Sequence, residues 1–432
     1  MTLSETTEST TAGTVLAGLE ELRTDLHGLY RHLHAHPELS MQEHETARLI
    51  ESHLEELHIP TFRCGATGVV GVLENGPGPV VAFRADTDAL PIVEQTGLDY
   101  ASTATGVLPD GTETPVMHGC GHDTHTASLL ISATLLERSR HAWTGTIVLI
   151  FQPGEETATG ARAMVDDGLW DRAPHPEVIL GQHVGPGPAG AVQYRHGTAA
   201  SMADSWQVTM FGRGAHGSQP HLSIDPIVQV ACTITRIQTV AAREVDPMDS
   251  AVVTIGRIAG GMKENIIPDS AMFTLNVRTF DERVRRRVLD SLQRIITAEA
   301  TASGAPEPLV TELSRFPRLV NDETTTVRTM AALGEFWGSD SISEGQLLMG
   351  SEDFGLLAEA IDVPYCFWFI GGTEPELHAK AEAEAEAEAE AEGTISTTVA
   401  GNHSPFFAPE PEPTLSRMVE AAVVGMLTFL QN

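Results

Sequence analysis

The densest cluster of potential ligands in the chain is His118-Gly119-Cys120-Gly121-His122-Asp123. A thiolate and an imidazole two residues apart can face one ion, because an extended or turning backbone carries alternate side chains to the same side. The glycines between them allow a tight path. Taken alone, the hexapeptide also reads as an ordinary loop holding a buried cysteine. Three further groups shift that balance. Phe151-Gln152-Pro153-Gly154-Glu155-Glu156 places paired carboxylates directly after an apolar run, and Ile179-Leu180-Gly181-Gln182-His183 ends another run on an imidazole. A third run, Val80–Phe83, leads into Arg84-Ala85-Asp86-Thr87-Asp88. Ligands of open α/β sheets bind beyond the carboxyl ends of the strands, where these groups fall. The turn-rich Gly401-Asn402-His403-Ser404-Pro405 adds a fourth contribution. Together they read as a metal site.

Cys120, His122, Glu156, His183 and His403 make one candidate more than a closed tetrahedral site uses. A thiolate or water shared by two ions would leave each ion an open position. A pair of ions about 3.5–4 Å apart polarises an acyl oxygen and supplies hydroxide at neutral pH. Glu155 is then the spare carboxylate, suited to act as general base and afterwards as general acid to a leaving nitrogen. Asp88 and Asp123 are candidates for orienting the ligands. Glu352-Asp353 reads either as a lining of the cleft or as two exposed loop acids.

The elements that must position these groups follow from hydropathy. Leu19, Leu22, Leu26, Leu29, Tyr30 and Leu33 recur at helical spacing, and His36-Pro37 ends that stretch. Val80–Phe83, Ile147–Phe151, Val178–Leu180 and Tyr365–Ile370 are apolar without clean alternation, and helix-length amphipathic segments such as Ala127–Arg138 lie between several of them. That pattern predicts a largely parallel sheet covered on both faces. The middle of the chain has another rhythm. A strand over 205–211, a helix over 225–243, strands over 251–258 and 271–279, a helix over 281–302 and a strand over 308–313 give the order βαββαβ. The expected fold is therefore α/β: a catalytic domain over 15–193 and 315–432, interrupted by a smaller ferredoxin-like domain over 194–314. Ala381–Glu392 alternates Ala with six glutamates, which reads as a solvated helix or disordered insertion.

Composition narrows the function classes. The formal net charge is -33, from 26 Lys plus Arg against 59 Asp plus Glu, so the surface repels phosphate backbones and anionic membranes. Nucleic-acid and membrane partners are not expected. Residues 1–14 lack the basic and apolar regions of a signal peptide, and no uninterrupted apolar run approaches bilayer length. Four widely spaced cysteines make a poor disulfide framework, so a reducing cytoplasm is expected. No GxSxG nucleophile motif is present.

The motifs HAHPELS, RADTDALPI, MHGCGHDTH, FQPGEE, GQHV, GAHGSQPHLSIDP, NIIPD, SEDF and GNHSPFF occur in this order between His34 and Phe407. In this the chain resembles the amidohydrolase branch of the aminoacylase/carboxypeptidase metallopeptidases, which includes hippurate, N-acyl-amino-acid and indole-acetyl-amino-acid hydrolases. The resemblance implies a dinuclear centre of Mn, Zn, Co or Ni and a small N-acyl amino acid substrate. It also implies a homodimer formed through the inserted lid domain. The five ligand positions and Glu155 coincide with the family's motifs. It further implies that His216 binds the substrate carbonyl or stabilises the oxyanion, and that Asn265 and Arg278 contact substrate. The long Ala-Glu insertion departs from the family pattern.

Overall fold

The computed structural model describes residues 10–391 and 399–430. The chain divides into two compact units, the first made of 1–199, 320–346 and 353–432. Its eight-stranded sheet runs in the order Thr61–Cys64, Gly68–Asn75, Gly145–Gln152, Val80–Asp86, Val178–Pro188, Tyr365–Thr373, Val192–Tyr194, Ile342–Glu344. The four apolar runs read from the sequence are its four central strands, mutually parallel, with Phe83 opposite both Leu149 and Leu180. Consecutive residues from Ile147 to Gln152 are all buried, so both faces of that strand are covered. This is why the run shows no alternation.

Three helices, Leu19–Ala35, His122–Arg138 and Pro411–Leu430, pack together, contributing Leu26, Tyr30, Leu130, Leu136, Met418 and Leu427 to the core. The expectation of an amphipathic segment over 127–138 is corrected here. The helix begins at His122 and is buried on all sides through Leu136, because neighbouring helices and the sheet enclose it. Most of its Ser and Thr hydroxyls donate to backbone carbonyls, as where Ser132 donates to the Ser128 carbonyl at 2.8 Å, whereas Ser128 Oγ is buried without a partner. Pro411–Leu430 also qualifies the membrane reading. It is long and apolar enough to cross a membrane by length and composition, but 72% of its apolar window is buried inside the fold.

The second unit comprises Ala200–Leu319 and the returning segment Leu347–Glu352. Its four-stranded antiparallel sheet has the order Ala251–Gly260, Ser270–Thr279, Met202–Phe211, Leu309–Phe316. Burial alternates strictly along Ser270–Thr279, and Phe273, Leu275 and Val277 pack against Val230 and Leu292 of the helices Pro226–Ile237 and Glu282–Ala302. Asp225 and Asp281 cap those helices, each accepting from two backbone N–H groups of the first turn. Ser201 holds the returning segment, its N–H reaching the carbonyls of Leu348 and Gly350.

The Ala-Glu alternation continues a helix, Pro375–Ala391, in which His378 faces Glu382 at 3.4 Å and Lys380 faces Glu384 at 3.8 Å. Glu392 lies outside the described residues. All four cysteines are free.

Phe83 sits in the central strand at 1% exposure and meets Trp368 edge-to-face at 5.8 Å. Phe83→Ala is expected to lower stability by about 3–5 kcal/mol, read as a lower urea midpoint at unchanged slope.

Candidate metal centre

Each strand end delivers its side chains through a local device. Val80–Asp86 runs straight into Asp88, and both acids are fully buried. Gly145–Gln152 ends in the Pro153-Gly154 turn, where Gly154 takes a left-handed φ of 57° before Glu155 opens a short 3-10 helix. Gly121, at φ 82°, turns the chain between Cys120 and the helix that starts with His122. A Cβ there would lie 2.4 Å from the Val184 side chain, so only glycine lets the loop close on the Val178–Pro188 strand. His403 arrives from the far end of the sequence. Its N–H donates to the Gly119 carbonyl at 2.7 Å, and the neighbouring Asn402 amide bridges the carbonyls of Cys120 and Val184 at 3.1 Å each.

These devices bring all five candidate ligands together. Cys120 Sγ is 3.5 Å from His183 Nε2, and Glu156 Oε1 is 3.2 Å from His403 Nε2 and 4.0 Å from His122 Nε2. Donor atoms of Cys120, Glu156 and His403 lie within 4.8 Å of one another, as do those of His122, Glu155 and Glu156. The ring protons are already assigned by the backbone. His122 Nδ1 donates to the Asp88 carbonyl at 2.9 Å and His183 Nδ1 to the Val184 carbonyl at 2.7 Å. With those protons on Nδ1, the Nε2 atoms of both rings are left for the cluster. His122 Nε2 and Glu156 Oε1 are buried without a hydrogen-bond partner, the His403 approach being out of line. Buried polar atoms left unpaired at the convergence of thiol, imidazole and carboxylate are what a divalent cation satisfies, so the donor set fits a metal.

Electrostatics point the same way. Burial pushes the Cys120 thiol well above its ordinary pKa, and the carboxylates of Glu156 and Glu155 push it further. At His122 burial opposes the charged ring, but Asp86 and Asp88 outweigh it and raise the pKa to about 10. Burial and the His125 ring hold His183 well below the usual range. The pocket is anionic around His122 and requires positive charge there, from a proton or a cation.

Several neighbours escaped the sequence reading. His125, three residues beyond His122, is closed to metal, because its Nε2 accepts the Val184 N–H at 2.9 Å while Nδ1 donates to Asp86. Arg84 is a fully buried counter-charge, bonded to Asp86 at 2.7 Å, to Gln152 at 2.9 Å and to Asp353 at 3.4 Å. Their signals were present in RADTDALPI and MHGCGHDTH, but nothing in one sequence says which acid faces which ring. His34 was quoted only within a motif. It bonds Asp123 at 2.7 Å and Glu94 at 3.0 Å, and these carboxylates overcome its burial to raise its pKa to about 9. Asp123 therefore faces His34, whereas the Asp88 carboxylate receives His122 Nδ1 at 3.2 Å, the Glu156 N–H at 3.0 Å and the Ser40 hydroxyl at 2.6 Å. The reading of Glu352 and Asp353 as exposed acids is corrected. Both are buried, and Asp353 accepts from Gln152 at 2.7 Å.

The remaining candidates lie in the second unit. Ala215–His216 pairs with Ile266–Ile267, and the Gly217 N–H donates to the Asn265 carbonyl at 2.8 Å, so His216 and Asn265 are neighbours. His216 is exposed, and its Nδ1 accepts the Ser218 N–H at 3.1 Å, leaving the proton of the neutral ring on Nε2. Arg278 is half-buried, bonded to Asn276 at 3.0 Å and to the Met349 carbonyl.

A parallel sheet whose strand ends present carboxylates and an imidazole, joined by a thiol and imidazoles from the adjoining loops and helix start around unsatisfied buried donors, defines a divalent-metal α/β enzyme. The chain belongs to peptidase family M20/M25/M40, whose sequence profile matches residues 82–398. It is 37% identical over 367 residues to an N-acetyl-L-cysteine deacetylase of Bacillus subtilis (strain 168), covering 83% of this chain and 84% of that protein. It is 34% identical over 350 residues to a hippurate hydrolase of Campylobacter jejuni, covering 80% and 88%. Among solved structures it superposes on the Bacillus subtilis YXEP protein, a dinuclear metal binding peptidase, with a TM-score of 0.71 at 30% identity, covering 95% of this chain and 99% of that one. The protein is thus a metal-dependent amide hydrolase of the amidohydrolase branch.

Asp88 orients His122 and anchors the Glu156 backbone. Asp88→Ala is expected to weaken metal affinity about 10- to 100-fold with the far-UV circular dichroism unchanged, as measured by competition with a chromogenic chelator.

Proposed function

We propose that the protein hydrolyses the amide bond of N-acyl amino acids, N-acetyl, N-benzoyl or similar, to a carboxylic acid and a free amino acid. The observation that carries this reading is the position of Glu155. It is 5% exposed, opens the turn that also bears Glu156, and has a carboxylate oxygen within 4.8 Å of the donor atoms of His122 and Glu156. The deacetylase and hippurate hydrolase relatives support the substrate class, since both names describe removal of an acyl group from an amino acid.

Cys120, His122, Glu156, His183 and His403 would hold two divalent ions, drawn from Mn, Zn, Co or Ni. Bound there, the ions supply Lewis-acid polarisation of the acyl oxygen and activation of water. Glu155 accepts a proton from the attacking water and returns it to the departing nitrogen as the C–N bond breaks. Glu156, on the same turn, would serve as a ligand, so adjacent glutamates divide the two tasks. The Asp88 and Val184 carbonyls keep the His122 and His183 rings from rotating. His216 serves as an oxyanion donor, a role supported by the Nε2–H that its Ser218 contact leaves outward. Asn265 and Arg278 contact the substrate, Arg278 suiting a carboxylate. We further infer a cytoplasmic homodimer assembled through the second unit.

The test is a panel of N-acetyl- and N-benzoyl-amino acids beside free dipeptides, given to metal-stripped protein with Mn, Zn, Co or Ni restored. Metal-dependent release of amino acid from the acylated substrates is expected. Preference for the dipeptides would replace this reading with a peptidase. Glu155→Ala is expected to retain metal content and lose turnover by about 10²-fold or more, and Cys120→Ala to lose metal as well. An acyl-enzyme trapped on Cys120 would overturn the mechanism.

A further inference from the structure

Glu43 lies outside the ligand set, yet it is fully buried. Its Oε1 accepts two backbone N–H groups, from Met41 at 2.8 Å and from Gly154 at 2.9 Å, while Oε2 accepts the Thr67 hydroxyl. Both amides belong to left-handed residues, Met41 at φ 64° and Gly154 at φ 57°. For Met41, which has a side chain, that conformation persists only where its surroundings hold it. The Met41 side chain also packs directly on the turn, since a Cβ on Gly154 would lie 2.5 Å from Met41 Sδ. Gly154 is the last residue before Glu155. Its carbonyl accepts from Thr159 at 3.2 Å and from Gly160 at 3.1 Å, so the turn is closed at one end by its own chain and at the other by Glu43.

The same segment grips the turn a second time. Ser40 donates to Asp88 Oδ2 at 2.6 Å, and that oxygen also accepts the Glu156 N–H at 3.0 Å. Burying a carboxylate is costly unless its acceptors are used. Here three donors use them, and the two backbone donors fix the one turn on which the reacting carboxylates stand. A space-filling role would need neither the convergence of two amides on one oxygen nor a left-handed methionine beside them.

We propose that Glu43 is a positioning residue: its carboxylate clasps the Met41 and Gly154 amides and thereby sets the direction in which the turn presents Glu155. This rests on the reading of Glu155 as the proton carrier. Glu43 touches no ligand or substrate and acts through hydrogen-bond acceptance at a fixed reach. A misplacement of about 1 Å in a reacting group costs on the order of 10²-fold in rate.

The test compares Glu43→Asp, Glu43→Gln and Thr67→Val in the full-length, metal-loaded enzyme, with Glu155→Gln as reference, reading kcat, KM, bound metal and melting temperature. Aspartate keeps the charge but shortens the reach by about 1.5 Å, whereas glutamine keeps the reach without the charge. The expected result is a loss in kcat of about 10²-fold for Glu43→Asp at KM within about 3-fold and full metal content. Glu43→Gln is expected to stay within about 3-fold of wild-type kcat. Thr67→Val, which removes only the contact remote from the turn, should lower the melting temperature and leave kcat in place. A glutamine variant as impaired as the aspartate one, an aspartate variant with wild-type kcat, or an equal kcat loss in Thr67→Val would each overturn the clasp. Turnover retained by Glu155→Gln would instead remove the proton-carrier reading beneath it. An inactive Glu155→Gln beside a fully active Glu43→Asp would remove the clasp alone.

Discussion

The Asp88 carboxylate takes hydrogen bonds from Ser40, just ahead of the helix His44–Glu56, from the His122 ring, whose Nδ1 lies 3.2 Å from its Oδ1, and from the backbone of the Glu155–Glu156 turn. It is itself out of contact with water, so no solvent competes for its oxygens. One carboxylate therefore sets the ring of His122, the register of Glu156 and the path of the loop around Ser40 together. Moving any one of them would strand a buried polar group, which is why separate elements keep a common geometry. A cation at the centre fits that constraint. Orphaned donors and surplus negative charge both face the point where the lone pairs converge.

The sheet explains how such a centre is assembled from distant residues. Parallel strands end on the same side, so Asp86, Gln152 and His183 reach one edge of the layer although long helical connections separate them in sequence. Beneath the ligands Arg84 ties Asp86, Gln152 and Asp353 into a buried network. Its guanidinium offsets part of the acid surplus, and burial opposing the Asp86 charge is outweighed by Arg84, His122 and His125, which hold that carboxyl well below its usual range. The fold thus places a permanent positive charge beside Asp86 together with the rings of His122 and His125.

The second unit is organised on a different principle. Its antiparallel sheet buries one face only, and its fully buried Asp204 is neutralised by a two-point contact with Arg285 at 2.7 Å. Two short strands hold His216 beside Asn265 on an exposed loop. A histidine on such a loop has its tautomer set by a local turn contact, whereas the metal-facing histidines take theirs from the carbonyls of packed elements. The Ala-Glu helix follows neither pattern. Its contacts are pairs four residues apart, His378 with Glu382 and Lys380 with Glu384, an arrangement of small energetic weight.

Much of this protein is determined by the sequence alone. Four short apolar runs without alternation read as strands buried on both faces, and they are the four parallel strands at the sheet's centre. Donor chemistry after three of the runs was legible too, because an imidazole and carboxylates gathered at strand ends have few other uses. The direction of side chains was not legible, since it depends on contacts between residues far apart in the chain. Asp88 and Asp123 look equivalent in the sequence, yet one serves His122 and the other His34. His125 has the type and spacing of a ligand, but Val184 and Asp86 consume both of its nitrogens. Glu352 and Asp353 have the composition of surface acids and are buried, and Glu43 gave no signal at all. Hydrophobic periodicity is a local property of the chain and can be read along it. The partner of a buried polar group is decided only when the elements meet and water is excluded.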